Sequence, residues 1–364
     1  MELSLKKSSD FKLPTGILGA SLSQDGQSLV AACMDGVYMA DLPSKSAERI
    51  GQHESYVSSA AFLPAQDAVV SAGYDGAIQW FDLATRQQTR HLELHEFWSW
   101  DMAVSPDQAM MASVTGQYLA GGYKYEPLAE REPSLRIVSA TSGEVLHSLP
   151  HVPSVQAVAF SPDSQFVAAG NLMGEVRVWN CQSSELAAQW TTPDFTSWGI
   201  IKSHCYLGGI FAIRFTPDGK ELIVAGMGPM RDPMAGNGRQ RWQKWAWTEK
   251  APRKLDETHN GESGEGLMET LAIHPDGDLF AMGGRLRGGD WNVALFELAT
   301  GNRKATLKTG YRVTEANFNA DGSQLVLVGT QGQPNAMKDG KFPDFGRVEL
   351  YELTKTEDEK AEGE

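Results

Sequence analysis

Cysteine is scarce: the 364-residue chain holds three, Cys33, Cys181 and Cys205. An odd, sparse set makes no disulfide framework. No stretch approaches the roughly 20 apolar residues that a membrane helix requires, so no membrane insertion is expected. The opening MELSLKKSSDFKLP lacks the apolar run of a secretory signal. These absences point to a soluble protein in a reducing cytoplasm, with a processed export signal left open. Basic residues are outnumbered, 32 Lys and Arg against 46 Asp and Glu, for a formal net charge of −14. Nonspecific binding to nucleic acid or to an anionic membrane surface is therefore disfavoured. Part of the acid lies in residues 354–364, TKTEDEKAEGE, a polar end without aromatics that is expected to be a disordered tail.

Catalytic signatures are missing too. The chain has no Walker loop, no G-x-S-x-G, no H-E-x-x-H and no C-x-x-C. His204 and Cys205 adjoin and could bind a metal, but two donors without partners make no site. No cofactor and no metal are expected. The visible carboxylates lie mostly in turns and on outer strands.

What is plentiful is glycine, 37 residues, with 17 prolines spread along the chain. Both suit many short strands joined by many turns. One phrase recurs: an apolar strand, a tight turn, then an apolar strand of small residues. The turns begin at Ser23, Leu63, Ser105, Ser161, Thr216, His274 and Asn319, seven copies, read most clearly in Ser105-Pro106-Asp107 and Thr216-Pro217-Asp218-Gly219. Proline presets the first corner, Asp accepts from nearby amides, and Gly permits positive φ. A third strand follows in each copy, for example Ala77–Phe81 and Val176–Trp179, and then a more polar fourth. Four strands per copy, at spacings of roughly 40 to 58 residues, are the signature of propeller blades.

Asp75-Gly76-Ala77-Ile78-Gln79-Trp80-Phe81-Asp82-Leu83 and Gly174-Glu175-Val176-Arg177-Val178-Trp179-Asn180 carry a resemblance to the WD-repeat family, in divergent copies. The resemblance covers nearly the whole chain except the tail. It implies an all-β, seven-bladed propeller of four-stranded antiparallel blades over residues 1–353. The last copy has three strands, so the N-terminal segment Leu3–Leu13 is expected to complete blade 7 and close the ring. The family's hydrogen-bonded tetrad of His, Ser/Thr, Asp and Trp maps in blade 2 onto His53, Ser71, Asp75 and Phe81, so the Trp is replaced. Blade 4 has His151 and Trp179, with Met173 where the Asp would stand. These six are the expected structural residues.

Within a blade the strands, a to d, alternate in direction. The a–b and c–d turns therefore share one face of the disc, and the b–c and d–a loops share the other. Every long insertion falls on the second face: Thr115–Ser134, Met227–Arg241, Gly284–Trp291 and Thr330–Gly346 between b and c, and Thr191–Gly208 and Asp256–Met268 between d and a. Long loops in a compact repeat fold are uncommon unless they bind something or are disordered. These carry large rings, including Tyr123, Tyr125, Phe195, Trp198, Tyr206, Trp242, Trp291 and Phe345, which either anchor an interface or pack the loops on one another. Arg231, Arg239, Arg241, Arg285 and Arg287 add a basic cluster, suited to an acidic partner or to salt bridges with neighbouring acids. The expectation is a noncatalytic interaction scaffold, or a subunit of a larger assembly. It would bind another protein through Tyr123, Tyr125, Trp198, Tyr206, Arg231, Arg239, Arg285, Arg287, Trp291 and Phe345. The alternative is a hydrolase-like or lactonase-like enzyme, or a small-ligand sensor, with its site at the channel mouth.

Overall fold

The computed structural model describes residues 2–117, 129–195, 209–232, 237–262, 266–285, 289–332 and 345–356. After β1 (Glu2–Leu13), blade 1 is β2 (Ile17–Leu22), β3 (Ser28–Cys33), β4 (Gly36–Asp41) and β5 (Ser46–Gly51). Blade 2 is β6 (Val57–Leu63), β7 (Ala68–Gly73), β8 (Ala77–Asp82) and β9 (Gln88–Glu93). Blade 3 is β10 (Asp101–Val104), β11 (Met110–Val114), β12 (Leu135–Ser139) and β13 (Val145–Leu149). Blade 4 is β14 (Val155–Phe160), β15 (Phe166–Asn171), β16 (Glu175–Asn180) and β17 (Leu186–Thr191). Blade 5 is β18 (Gly209–Phe215), β19 (Glu221–Asp232), β20 (Asn237–Ala246) and β21 (Arg253–Glu257). Blade 6 is β22 (Met268–Ile273), β23 (Leu279–Gly284), β24 (Val293–Glu297) and β25 (Arg303–Leu307). Blade 7 is β26 (Arg312–Phe318), β27 (Gln324–Gln331) and β28 (Phe345–Thr356), with β1 as its fourth strand.

Each blade is a four-stranded antiparallel sheet, and β1 pairs with β28 from Glu2↔Thr356 to Leu13↔Gly346. The first strand of the chain therefore closes the ring onto its last. The cores are interblade. Among the described residues seven apolar clusters are present, and each draws on two neighbouring blades. Ala40 and Leu29 of blade 1 meet Val348 and Val326 of blade 7, and Trp190 of blade 4 meets Trp245 of blade 5. Seven interfaces for seven blades is what a closed ring requires, and small residues in the second strands let the sheets approach.

The turn chemistry works as the sequence implies. Asp25, Asp107, Asp163 and Asp218 each accept from the hydroxyl two residues earlier and from the amide two residues later. These bonds hold the Asp25, Asp107 and Asp218 carboxyls below the usual carboxylate range, with burial opposing them. At Met227–Arg241 the structure differs from the expected loop. β19 and β20 carry their ladder outward through Met230↔Gly238 and Asp232↔Asn237, with Pro229, which has no amide to donate, at a register irregularity. Strands already in register satisfy each other's backbone groups, which a free loop would leave to water.

Candidate interaction face and central channel

In blade 2 His53 is buried between two partners. Its Nε2 lies 2.8 Å from the Ser71 hydroxyl and its Nδ1 lies 3.0 Å from Asp75. Asp75 in turn accepts from the Glu54 amide (3.0 Å) and the Ala77 amide (3.0 Å), tying the loop that enters the blade to the turn between β7 and β8. Burial pushes the Asp75 carboxyl up, but the His53 contact and these amides win and hold it below its usual range. Phe81 is buried and packs against Gly51, where a Cβ would meet the ring at 2.2 Å. Three of the four expected blade 2 residues thus form one hydrogen-bonded unit, and Phe81 fills the fourth place by packing alone.

Blades 3 and 4 bury a histidine at the same place, with partners that the sequence reading missed. In blade 3 His95 Nε2 lies 2.9 Å from the Ser113 hydroxyl, and its Nδ1 lies 3.7 Å from Glu132. Glu132 accepts from the Glu96 and Phe97 amides at 3.0 and 3.1 Å, the role that Asp75 plays in blade 2. In blade 4 Met173 does not do this work. Asn171 does, accepting from the Met173 amide (2.9 Å) and the Glu175 amide (2.8 Å) and donating to the Val152 carbonyl (3.0 Å). His151 is buried with Trp179 edge-on at 5.8 Å, and its Nε2 faces the Ala169 carbonyl at 3.4 Å. The separation from histidine to strand partner is 18 residues in all three blades, a signal that would have found blade 3.

The loop that these staples hold, His95–Trp100, carries an aromatic cluster. Trp98 is stacked on Tyr74 (4.8 Å, 7°) and on Phe97 (5.1 Å, 8°), with Trp100 edge-on at 5.2 Å and Tyr56 tilted against Tyr74. Trp98 is 40% exposed, a large exposed apolar surface on the elaborated face. Its backbone is fixed on both sides. The Thr115 hydroxyl donates to the Trp98 carbonyl (2.8 Å), the Ser99 amide to Gly73 (3.1 Å), and the Trp100 indole to Gly116 (3.0 Å). Gly76 allows this fit: its φ is +77°, and a Cβ there would stand 2.2 Å from the His95 carbonyl.

Tyr74 and Trp100 also line an axial cavity of about 520 Å³. The carboxylates here correct the sequence reading, because Asp101, Glu269 and Glu315 point into the channel. The innermost strand of six blades carries a register shift near its start, and Glu269 is the extra residue of the shift in β22. Each acid is matched. Glu269 takes Arg312 at 2.6 to 2.9 Å, and Glu315 takes Arg214 at 3.6 Å and the Thr270 hydroxyl at 2.8 Å. Asp101 accepts from Ser59 and from the Val158 amide. These bonds fall into two groups around the axis, one joining blades 2, 3 and 4 through Asp101 and one joining blades 5, 6 and 7 through Glu269 and Glu315. Burial pushes Glu315 up to about 7 against the pull of Arg214, and it raises Asp101 as well. Among the described residues, the group of three side chains close enough to share a metal ion is His274, Asp276 and Asp278, on the turn between β22 and β23. There the Lys355 ammonium stands 2.8 Å from Asp278 and 3.1 Å from Asp276, so a cation from β28 already holds the place.

The other expected contact residues scatter. Tyr123, Tyr125, Trp198, Tyr206 and Arg287 lie outside the described residues, as does the side chain of Arg231 in β19. Arg239 is exposed. Arg241 is tied to Glu257 (3.0 Å) and Asp194 (3.5 Å), the salt-bridge alternative. Arg285 is half-buried. Phe195, Trp242 and Trp291 are buried, the packing alternative, and Arg303 lies over the Trp291 ring at 5.5 Å. Phe345 is half-buried under the Lys12 ammonium at 4.2 Å. Cys33 and Cys181 are buried and unbonded to each other, and Cys205 lies outside the described residues.

Seven interlocked blades, some pinned by a buried histidine, define a closed β-propeller. The family model described as "WD domain, G-beta repeat" matches residues 45–82 and 143–180, which end in strands β8 and β16. Apoptotic protease-activating factor 1 of Homo sapiens is 25% identical over 162 residues, 43% of this chain and 11% of that protein. The matched part is thus about a tenth of that relative's length. Seven four-stranded blades in a ring make the chain a β-propeller, and segments of it match the WD repeat at two places. No helix among the described residues is long and apolar enough to cross a membrane.

Proposed function

We propose that this protein is a noncatalytic interaction scaffold, or a subunit of a larger assembly, that holds another protein on the face carrying the b–c and d–a loops. WD-repeat propellers are generally used for protein–protein interaction. The observation that carries the reading is the aromatic cluster around Trp98, exposed on that face and fixed in place by hydrogen bonds from two blades. A rigid, partly exposed ring anchors a partner at low entropic cost. Arg239 and Arg285, on blades 5 and 6, widen the same face. The channel acids, all matched by arginines or hydrogen-bond donors, favour a structural throat over a hydrolytic centre. A cavity of about 520 Å³ nonetheless suits a small ligand, which supports a sensor as the second reading. The chain's net charge of −14 argues against nucleic acid as the partner, and the reading extends to a cytoplasmic setting. The test is capture of partners from the native source by wild type, by Trp98→Ala and by the triple variant Arg239→Glu/Arg285→Glu/Arg287→Glu. Loss of specific partners in either variant is expected, and an identical captured set in all three would sink the reading.

A further inference from the structure

We infer that the Trp98 cluster is the docking site for a basic segment of a partner protein, one that sets an arginine or lysine beside an apolar side chain. This rests on the reading of the face as an interaction surface, and it names the chemistry of the occupant. Three observations carry it. The cluster offers an apolar centre, with Trp98 40% exposed and Phe97, Tyr74, Tyr56 and Trp100 half-buried around it. Exposed acids flank it: Glu54 stands two residues before Tyr56, and Glu96 adjoins Phe97. Among the described residues the nearby exposed cation is Arg131, next to Glu132, so the described rim is acidic by two charges to one. Aromatic π faces and carboxylates both present negative potential, and a guanidinium or ammonium gains from both at once. A protein with net charge −14 adds a long-range attraction for basic segments that is screened by salt.

The site is also preorganised. The amides of Glu96 and Phe97 are held by Glu132, and the carbonyl of Trp98 by Thr115. Little loop ordering is left to be done on binding, so the cluster should discriminate by chemistry rather than by adapting to its ligand.

The test uses degenerate 13-residue peptide pools fixed at the central position as Arg, Lys, Leu or Glu, immobilised and probed with the full chain. Wild type is expected to be retained on the Arg and Lys pools at least tenfold more than on the Glu pool, with the contrast shrinking in high salt. Trp98→Ala is expected to lose most of that retention. The double variant Glu54→Lys/Glu96→Lys, both positions exposed and outside the core, is expected to abolish or reverse the preference for basic pools while keeping the wild-type melting temperature. Equal retention on all four pools, preference for the Glu pool, no retention on any pool, or retention indifferent to both variants would each overturn the inference. A Glu-pool preference removed by Arg239→Glu would move the interface to blade 5 and leave the interaction reading standing. Partner capture from the native source decides that reading separately.

Discussion

Blades 2 and 4 bury the same histidine at the same place and use it differently. In blade 2 His53 bridges a serine and an aspartate, and the aspartate reaches two loop amides. In blade 4 alanine replaces the serine, so His151 faces a backbone carbonyl, its Nδ1 accepts from the next amide, and a neutral asparagine holds the turn. The histidine alone therefore marks a packing position. What makes it a staple is an acid that touches both the ring and the loop. Blade 3 keeps that logic across a long insertion by supplying Glu132 from its far end. The exposed aromatic cluster sits on the loop between the two blades that have the full staple.

The comparison can be broken at its acid. Asp75→Ala should cost about 3 kcal/mol, since it leaves His53 and the Glu54 amide without their partner. Asn171→Ala, which removes a neutral amide, should cost roughly half that. Urea unfolding of both variants checks the order, and equal losses would show that the charged bridge adds nothing to the packing.

The pH dependence sharpens it. Burial, aided by Arg177, lowers the His151 pKa from 6.5 to about 3. Below pH 6.5 the unfolded chain binds a proton that the native state refuses, so stability falls as the pH falls from 6.5 toward 3. The difference between wild type and His151→Gln should follow a slope approaching about 1.4 kcal/mol per pH unit in that window. Glu315 acts with the opposite sign. With its pKa raised from 4.5 to about 7, the native state holds a proton that the unfolded chain releases, and stability falls as the pH rises through that range. The difference between wild type and Glu315→Gln should therefore slope the other way, and chemical denaturation from pH 4 to 8 reads both.

The smallest effect should come from the serine. Ser71→Ala should cost about 1 kcal/mol, one neutral hydrogen bond to a buried ring, and should make blade 2 resemble blade 4, where Ala169 already stands. A thermal shift indistinguishable from zero would mean that the Ser71 bond does not distinguish the two blades.

The ring was legible because each copy repeats one turn, whose Asp and Gly leave their mark in the chain whatever the surrounding context. Closure by the first strand followed from counting three strands in the last copy. Glu132 was not legible, because 19 residues separate it from Ser113 and its role depends on where the insertion returns. Asn171 was hidden because it stands two positions before Met173, at the place where blade 2 has Gly73. The channel acid Glu269 was hidden because a register shift turns it inward without changing composition. The Trp98 cluster was not legible because the loop between β9 and β10 is short and carries no insertion to mark it. Buried Trp291 and Trp242 show that loop aromatics divide between core and surface in a way that composition does not reveal.

The pairing of β1 with β28 has a consequence for how the molecule is made. Residues more than 340 positions apart must meet before blade 7 is whole, as in the contact of Lys7 with Glu349. So long a loop carries a large closure entropy, and most of its cost falls before the contacts that offset it. On the ribosome the first strand emerges with no partner and waits through the synthesis of six blades, an open sheet edge for the whole time. Ring closure is thus expected to come late in folding, and the lysines of β1, at positions 6, 7 and 12, keep that waiting edge charged and averse to pairing with its neighbours.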